Sequence, residues 1–243
     1  MNLLSKLRVA QVRGHVPVPS RDLRAPLPVR AASASPEPTS APRRGRSSNG
    51  LKEFLWQLNG IGHGQLLDLG PVWQATVSFF IERGFKIYAE DLLGSWRDFL
   101  NEEAESSRHL VSDNEAPDRS PAAVAERFLS SNLHHASDSF DAVFLWDLLD
   151  YLDSETTSCV VARLTTLVRD GGVVLAMFHT RMPEVFYRYR LLDALNLELV
   201  AAPALVPPKH IYQNREMQDL FGRFRSSKTF VGRDQLREVV FVK

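Results

Sequence analysis

The sequence predicts an α/β protein with a doubly wound, mostly parallel sheet, helices on both faces and a final antiparallel hairpin. From Gly50 onward, short apolar segments alternate with segments of helical periodicity. The segments Asp141–Trp146 and Gly172–Phe178 are almost continuously apolar, which is typical of parallel strands buried on both faces. Near the C-terminus, only Gly232–Leu236 separates two β-rich segments, and so short a link cannot cross over to a parallel neighbour. We therefore expect these last two strands to pair antiparallel.

Seven strands and six helices are predicted along the chain. Gly84 ends the second helix, Pro121 stands in the favoured first turn of the fourth, and Ser154 and Asn214 are expected to cap the fifth and sixth. The predicted strands are Gln65–Leu69, Lys86–Glu90, Phe128–Ser131, Asp141–Trp146, Gly172–Phe178, Ser227–Val231 and Arg237–Val242. The predicted helices are Leu51–Leu58, Trp73–Arg83, Ser95–Glu105, Pro121–Phe128, Ser154–Val168 and Arg215–Phe224.

The charge of the chain is divided between two segments. Residues 1–50 contain nine Lys/Arg and two acidic residues, a net charge of +7, while the remainder carries −7. Because residues 1–49 are also rich in Pro, Ala and Ser, we expect a disordered basic tail followed by one domain over 50–243. Three roles stay open for the tail: a passive extension, a contact with nucleic acid or an anionic membrane, or an organelle-targeting peptide.

Composition narrows the class of protein further. The longest apolar runs, such as Gly171–Phe178, have the length of a strand and not of a membrane span. The single Cys159 cannot form an intramolecular disulfide, and no Cys/His cluster has the spacing of a metal site, so no metal is expected. We expect a cytoplasmic protein, with organelle targeting by the N-terminal segment as the alternative.

Four motifs follow one another along the predicted domain. The first, Leu66–Gly70, is an apolar strand ending in an acid and a glycine. The second is Asp91, which follows Asp68 by 23 residues and lies at the end of the second strand. The third is the Ser-Phe-Asp-Ala-Val-Phe segment 139–144 with its extension Trp146–Leu152. The fourth is Leu167–Leu175, in which two glycines lead into an apolar strand.

In order and spacing, these motifs resemble those of the class I S-adenosylmethionine-dependent methyltransferases, over about Leu51 to Lys243. The resemblance implies a Rossmann-like domain that binds S-adenosylmethionine at the carboxyl end of its first strand, where open α/β sheets bind ligands. It implies that Asp91 accepts hydrogen bonds from the ribose hydroxyls, and that Asp68 and Gly70 lie against the amino acid part of the cofactor. Strand parity favours Asp91 over its neighbour Glu90.

The glycine-rich loop departs from the family pattern. Where the family has three alternating glycines, the chain has Gly70-Pro71-Val72-Trp73-Gln74 and retains only the first. Proline fixes one φ angle, and the bulky side chains prevent the closest approach of the backbone to a ligand. Either the cofactor lies further out, with contacts from Trp73 or Gln74, or the pocket no longer binds it. Asn132 is a further candidate, because the loop before the fourth strand lies beside the adenine in the family.

The methyl-transfer side is expected just past the fourth strand, where Asp147 and Trp146 stand as candidate catalytic residues. An acid directly after an apolar strand must find a partner or solvent. Asp150 and Asp153 are interpreted as solvated or capping residues. Arginine and tyrosine side chains after the fifth strand are expected either on the solvent face of a helix or around an anionic or planar substrate. They are Arg181, Tyr187, Arg188, Tyr189 and Arg190, with His179 at their start.

Methyl transfer from S-adenosylmethionine to an unidentified acceptor is the leading functional prediction. The alternative is a catalytically inactive methyltransferase-like module that binds or regulates a partner. A nucleotide-dependent oxidoreductase is less favoured, because the terminal hairpin and the double glycine before the fifth strand suit methyltransferases better. A sulfonium-bound methyl group is already activated, so the predicted reaction needs positioning more than a dedicated set of acid and base groups.

Overall fold

A mostly parallel sheet of six strands forms the centre of the domain. The structure is a computed structural model, and it describes residues 43–109, 118–232 and 234–243 of the 243-residue chain. The strands of this sheet lie in the order β3-β2-β4-β5-β9-β8. The first four are parallel, and β9 runs antiparallel to both β5 and β8, which confirms the predicted terminal hairpin. The bounds are β2 Gln65–Asp68, β3 Lys86–Ala89, β4 Phe140–Trp146, β5 Val168–His179, β8 Ser226–Val231 and β9 Leu236–Val242.

Helices cover both faces of this sheet, as predicted. Alternate residues of each strand enter two separate hydrophobic clusters: Leu67 packs on the face with α3 to α6, and Leu66 packs on the face with α1 and α2. Gly84 adopts a φ of +83° just after α2 and ends it. The helices are α1 Asn49–Gln57, α2 Gln74–Ile81, α3 Leu92–His109, α4 Pro121–Leu129, α5 Ser154–Leu167 and α6 Asn214–Leu220, and a 3₁₀ helix covers Leu148–Tyr151.

Two predicted helix caps are wrong by one residue. The side chain of Asp153, and not that of Ser154, accepts from the backbone N–H of Thr156 and caps α5. Gln213 precedes α6 and forms a capping box with Glu216, so the predicted cap Asn214 is already helical. In both cases the polar residue one position earlier has the extended backbone that a cap requires.

The predicted third strand is absent, and the main sheet has six strands and not seven. Phe128, at the start of the predicted strand Phe128–Ser131, lies in α4, and Ser130 is the C-cap of that helix. Phe128 is buried because α4 places its ring edge-on against Trp96 of α3, with ring centroids 4.9 Å apart. An apolar residue at a helix end can therefore imitate the start of a short strand in the sequence.

A second, three-stranded antiparallel sheet packs on the α1 and α2 face, in the order β1-β7-β6. Its strands are β1 Arg43–Ser47, β6 Tyr187–Leu191 and β7 Asn196–Ala201. The segment from Tyr187 to Arg190, for which the solvent face of a helix was one of the two alternatives, is thus a strand. Tyrosine and arginine alternate in it, and pairing with β7 buries Tyr189 and Leu191.

The folded part begins earlier than predicted. Arg43–Ser47 pairs with β7, and the hydroxyl of Ser48 caps α1 by accepting from the backbone N–H of Leu51 at 2.9 Å. These residues therefore belong to the domain and not to the tail. The rest of the predicted tail, residues 1–42, lies outside the described residues, and its three alternative roles stay predictions. Within the part of the chain that the structure describes, no helix is long and apolar enough to cross a membrane.

Candidate functional site

The candidate cofactor residues lie at the carboxyl ends of β2, β3 and β4. Asp68 is the last residue of β2 and pairs in register with Ala89 of β3 and Phe144 of β4. Asp91 follows β3, and the backbone N–H of Leu92 donates to Leu69, so the two acids belong to neighbouring strand ends. Parallel strands that end at one edge bring these side chains together at the position where open α/β sheets bind ligands.

Asp68 is buried, and one of its oxygens receives two hydrogen bonds. Its Oδ1 accepts from the backbone N–H of Gly70 at 3.0 Å and from Nε1 of Trp146 at 2.7 Å. Burial raises the pKa of Asp68 to about 6, and these two hydrogen bonds act in the opposite direction. The carboxyl group therefore ties the loop after β2 to the end of β4.

Trp146 occupies the space beside Gly70. A Cβ placed on Gly70 would lie 2.8 Å from Nε1 of this tryptophan, so glycine here makes room for an indole ring. The ring stacks between Phe144, at 4.7 Å between centroids, and Tyr189, at 5.6 Å. The backbone of Trp146 has a φ of +50°, in the left-handed region where a bulky residue is strained.

Asp91 is held by an arginine of β6. Nη1 and Nη2 of Arg188 each donate to a separate oxygen of Asp91 at 2.9 Å, and Oδ1 also accepts from the backbone N–H of Gly94. This bidentate pair engages both oxygens that a ribose diol would use. Arg188 was predicted either on a solvent face or around a substrate. No local pattern in the sequence links it to Asp91, which is 97 positions away.

Glu90 faces the opposite side from Asp91, as strand parity predicts. Its carboxylate lies 2.6 Å from Nε2 of His135 and accepts from the backbone N–H of Leu133 at 3.4 Å. Asn132 lies in the same separate depression of about 280 Å³, where its side chain donates to the carbonyl of Phe128. Glu90 and Asn132 therefore do not join Asp68 and Asp91 in one site.

Trp73 stands at the start of α2 and contacts another arginine of β6. The guanidinium of Arg190 lies 5.2 Å from the centroid of the Trp73 ring. Trp73 precedes the first helical residue, and its buried Nε1 has no hydrogen-bond partner among the described residues. The altered loop thus lies against the small sheet.

A buried polar cluster lies past the ends of β4 and β5. Asp147 accepts from the hydroxyl of Tyr189 at 3.0 Å, and its Oδ2 lies 3.9 Å from Nε2 of His179. The other ring nitrogen of His179 lies 2.9 Å from Asp150. Asp150 is fully buried, so its interpretation as a solvated or capping residue is wrong. The turn of 3₁₀ helix after β4 points it inward, which the sequence did not indicate.

Burial and mutual contacts shift the pKa values of this cluster. Burial raises the pKa of Asp147 to about 6, although the nearby His179 opposes the shift. Burial also raises the pKa of Asp150. Burial alone would lower the pKa of His179, but Asp150 and Asp147 together raise it. The cluster therefore combines two carboxyl groups that ionise less readily than usual with a histidine whose protonated form is favoured.

The space in this region is divided by Tyr187 and Tyr189. On one side, a cavity of about 330 Å³ is lined by these tyrosines together with His179 and Arg181. On the other side, the crevice beside Gly70 retains only about 20 Å³. An adenosyl cofactor needs a pocket of roughly 300 Å³ or more. Asp68, Gly70 and Asp91 thus lie where the resemblance implies, but in this conformation Trp146, Arg188 and Tyr189 take up the room, and S-adenosylmethionine does not fit.

No protein-family model matches the chain, and neither does any curated protein. The solved structures that resemble it include the 1,6-didemethyltoxoflavin-N1-methyltransferase of Burkholderia thailandensis with bound 1,6-didemethyltoxoflavin and S-adenosylhomocysteine. The identity is 14% and the TM-score 0.43, and the match covers 80% of this chain and 78% of that one. The glycopeptide N-methyltransferase MtfA, complexed with S-adenosyl-L-methionine, has 17% identity, a TM-score of 0.40 and coverages of 80% and 94%. A SAM-dependent methyltransferase from Aquifex aeolicus has 11% identity and a TM-score of 0.40, and the match covers 78% of this chain and 88% of that one.

Similarity at this level says nothing about activity. The strand order and the antiparallel hairpin define a doubly wound, Rossmann-like α/β domain that carries acids at two neighbouring strand ends. Within the described residues, no group of three His, Cys, Asp or Glu side chains is arranged to hold a metal ion.

Proposed function

We propose that this protein binds S-adenosylmethionine at the carboxyl ends of β2 and β3 and transfers its methyl group to an acceptor molecule. One observation carries the proposal: Asp68 and Asp91 converge at two neighbouring parallel strand ends, with Gly70 directly after the first. Carboxylates in these positions suit the hydroxyl and amino groups of an adenosyl ligand. Trp146 and Arg188 must leave the crevice before such a ligand can bind.

The acceptor side lies next to this crevice. The cavity of about 330 Å³ shares Tyr187 and Tyr189 with the crevice, so a molecule in it is separated from the donor side only by these rings. His179 lines the cavity, and Asp150 fixes its Nδ1. In the proposed function, Tyr187 and Tyr189 line the acceptor site and His179 receives a proton when the acceptor must lose one.

Calorimetric titration with S-adenosylmethionine and S-adenosylhomocysteine tests the proposal. We expect binding by the wild type and a loss of about tenfold or more in affinity for Asp91→Ala, because the ribose hydroxyls lose their acceptor. Glu90→Ala is the matched control, since this neighbouring acid faces His135 in a separate depression and its variant should bind as the wild type does. Equal affinities of the two variants for the adenosyl ligands would show that Asp91 does not contribute to binding.

A second function is favoured by the filled crevice. With about 20 Å³ left beside Gly70, the same fold can serve as a methyltransferase-like module that binds a partner without catalysis. This alternative predicts no heat with either adenosyl ligand, for the wild type and equally for a variant in which Arg188 no longer holds Asp91. The same titration with NAD(H) and NADP(H) tests the less favoured oxidoreductase function.

A further inference from the structure

We propose that β6 and Trp146 form an internal latch that closes the adenosyl crevice, so that Arg188 and an adenosyl ligand compete for the same carboxylate, Asp91. This inference rests on the proposed function and adds a means of regulating it. The latch consists of Arg188 and Tyr189 of β6 together with Trp146 at the end of β4.

The pair between Arg188 and Asp91 is the first part of the latch. A planar guanidinium that donates to both carboxylate oxygens satisfies the same acceptors that two adjacent hydroxyls would need. Only 16% of the Arg188 side chain is exposed, against 35% of the Asp91 side chain, so the contact is partly shielded from water. One carboxylate cannot serve both partners, and ligand binding therefore requires that Arg188 leave.

Trp146 is the second part. Its indole lies against Gly70 and donates to Asp68, the two residues expected to face the amino acid part of the ligand. It is also one of four residues other than glycine in the described part of the chain that have positive φ. Strain of this kind persists only where surrounding contacts hold it, here the stacks on Phe144 and Tyr189. When Tyr189 withdraws, the strained tryptophan loses one of its two supports.

The position of β6 allows it to move without disrupting the main sheet. In the described structure β6 pairs only with β7, at the edge of the small sheet. Its polar contacts across the crevice include Arg188 with Asp91, the Tyr189 hydroxyl with Asp147, and the Leu191 N–H with the hydroxyl of Thr76. The guanidinium of Arg190 also lies over the ring of Trp73. β6 can therefore shift without breaking a strand pair of the six-stranded sheet, but the shift also takes Tyr189 and Leu191 out of the hydrophobic core that the two sheets share.

If only a fraction of the molecules has an open latch, the apparent affinity for the ligand is the affinity of the open form multiplied by that fraction. The matched test compares Arg188→Met, which keeps an apolar stem and loses the guanidinium, with Arg169→Met. Arg169 also pairs with an aspartate, Asp141, but at the opposite end of β4. In calorimetric titrations with S-adenosylhomocysteine we expect Arg188→Met to bind about fivefold to tenfold more tightly than the wild type, and Arg169→Met to bind as the wild type does.

Hydrogen exchange of the wild-type protein gives a second readout that needs no variant. Saturating S-adenosylhomocysteine should speed exchange of the amides of β6 and slow exchange in the loop after β2. Unchanged or weaker binding by Arg188→Met, or slower exchange in β6 with ligand, would overturn the latch while leaving ligand binding established. No binding by the wild type and by Arg188→Met would overturn the proposed function together with the latch.

Discussion

Asp68 is a carboxylic acid in a buried position, and its surroundings set its charge. Two donors, the indole of Trp146 and the N–H of Gly70, converge on a single oxygen. They do not offset the burial, because the pKa is still raised from 3.8 to about 6. The native protein therefore holds a proton on Asp68 over a pH range in which the unfolded chain has already released it.

This shift predicts how stability depends on pH. The contribution of Asp68 to stability is fully present below about pH 3.8 and is lost as pH rises through about 6, because the buried carboxyl group must then ionise. Asp68→Asn keeps an oxygen acceptor and cannot ionise. We expect the free energy of unfolding of this variant to match that of the wild type near pH 4 and to exceed it by about 3 kcal/mol at pH 8.

Urea denaturation at a series of pH values measures this difference. Asp98→Asn is the control, because the side chain of Asp98 is 59% exposed and its replacement should change the free energy of unfolding by less than about 0.5 kcal/mol. A difference between Asp68→Asn and the wild type that stays constant from pH 4 to pH 8 would contradict the assigned shift.

At the scale of elements, one side chain of β9 connects the start of the domain to its end. Glu238 is buried and accepts from the hydroxyl of Ser48 and the backbone N–H of Gly50 at the start of α1. Its other oxygen forms an ion pair with Arg46 of β1, at 2.6 Å. Asp234, just before β9, pairs with the same arginine. Ion pairs as well as β pairing therefore hold β1 and the start of α1 in place.

Glu238→Ala should therefore be strongly destabilising. The change leaves Arg46, whose side chain is 9% exposed, without its closest acid and removes an acceptor from the start of α1. We expect a loss of about 3 to 5 kcal/mol in the free energy of unfolding, measured by urea denaturation. Asp219→Ala, which removes a 75% exposed acid from the pair with Arg215, should change it by less than about 0.5 kcal/mol. Similar losses for the two variants would refute the role of Glu238.

The elements that the sequence predicted are those with a strong local pattern. The β4 and β5 strands are apolar over most of their length, and the pairing of β8 with β9 follows from a link too short for a crossover. In β6 every second residue is an arginine, which is the period of a strand, but the segment is only five residues long. Pairing with β7 makes the segment a strand, and that contact does not show in the sequence of β6.

For the whole molecule, the small sheet is part of the hydrophobic core and not an appendage. Leu197 of β7 is completely buried and belongs to the cluster that includes Leu66, Phe144 and Leu175 of the main sheet. Tyr189 and Leu191 of β6 lie in the same cluster. The two sheets therefore share apolar surface, and most of the small sheet has no separate core of its own.

This shared core predicts cooperative unfolding. Leu197→Ala should lower the free energy of unfolding of the whole domain by about 2 to 5 kcal/mol, because it leaves a cavity between the sheets. Far-UV and near-UV circular dichroism should give one coincident transition. Leu195→Ala, at a position that is 51% exposed, should change stability by less than about 0.5 kcal/mol. A variant Leu197→Ala that loses protection from hydrogen exchange only in β1, β6 and β7 would show that the small sheet unfolds by itself.

The sequence by itself determined the alternation of strands and helices, the terminal hairpin and the acids at the ends of β2 and β3, because hydrophobic period and link length are local properties. It also gave the correct orientation of Asp91 relative to Glu90, since side chains alternate along a strand. Only the tertiary structure decided that Trp146 and Arg188 fill the crevice beside Gly70. Arg188 and Asp91 meet through the packing of one sheet on another, and a contact between residues 97 positions apart depends on how the whole chain folds and not on any local pattern.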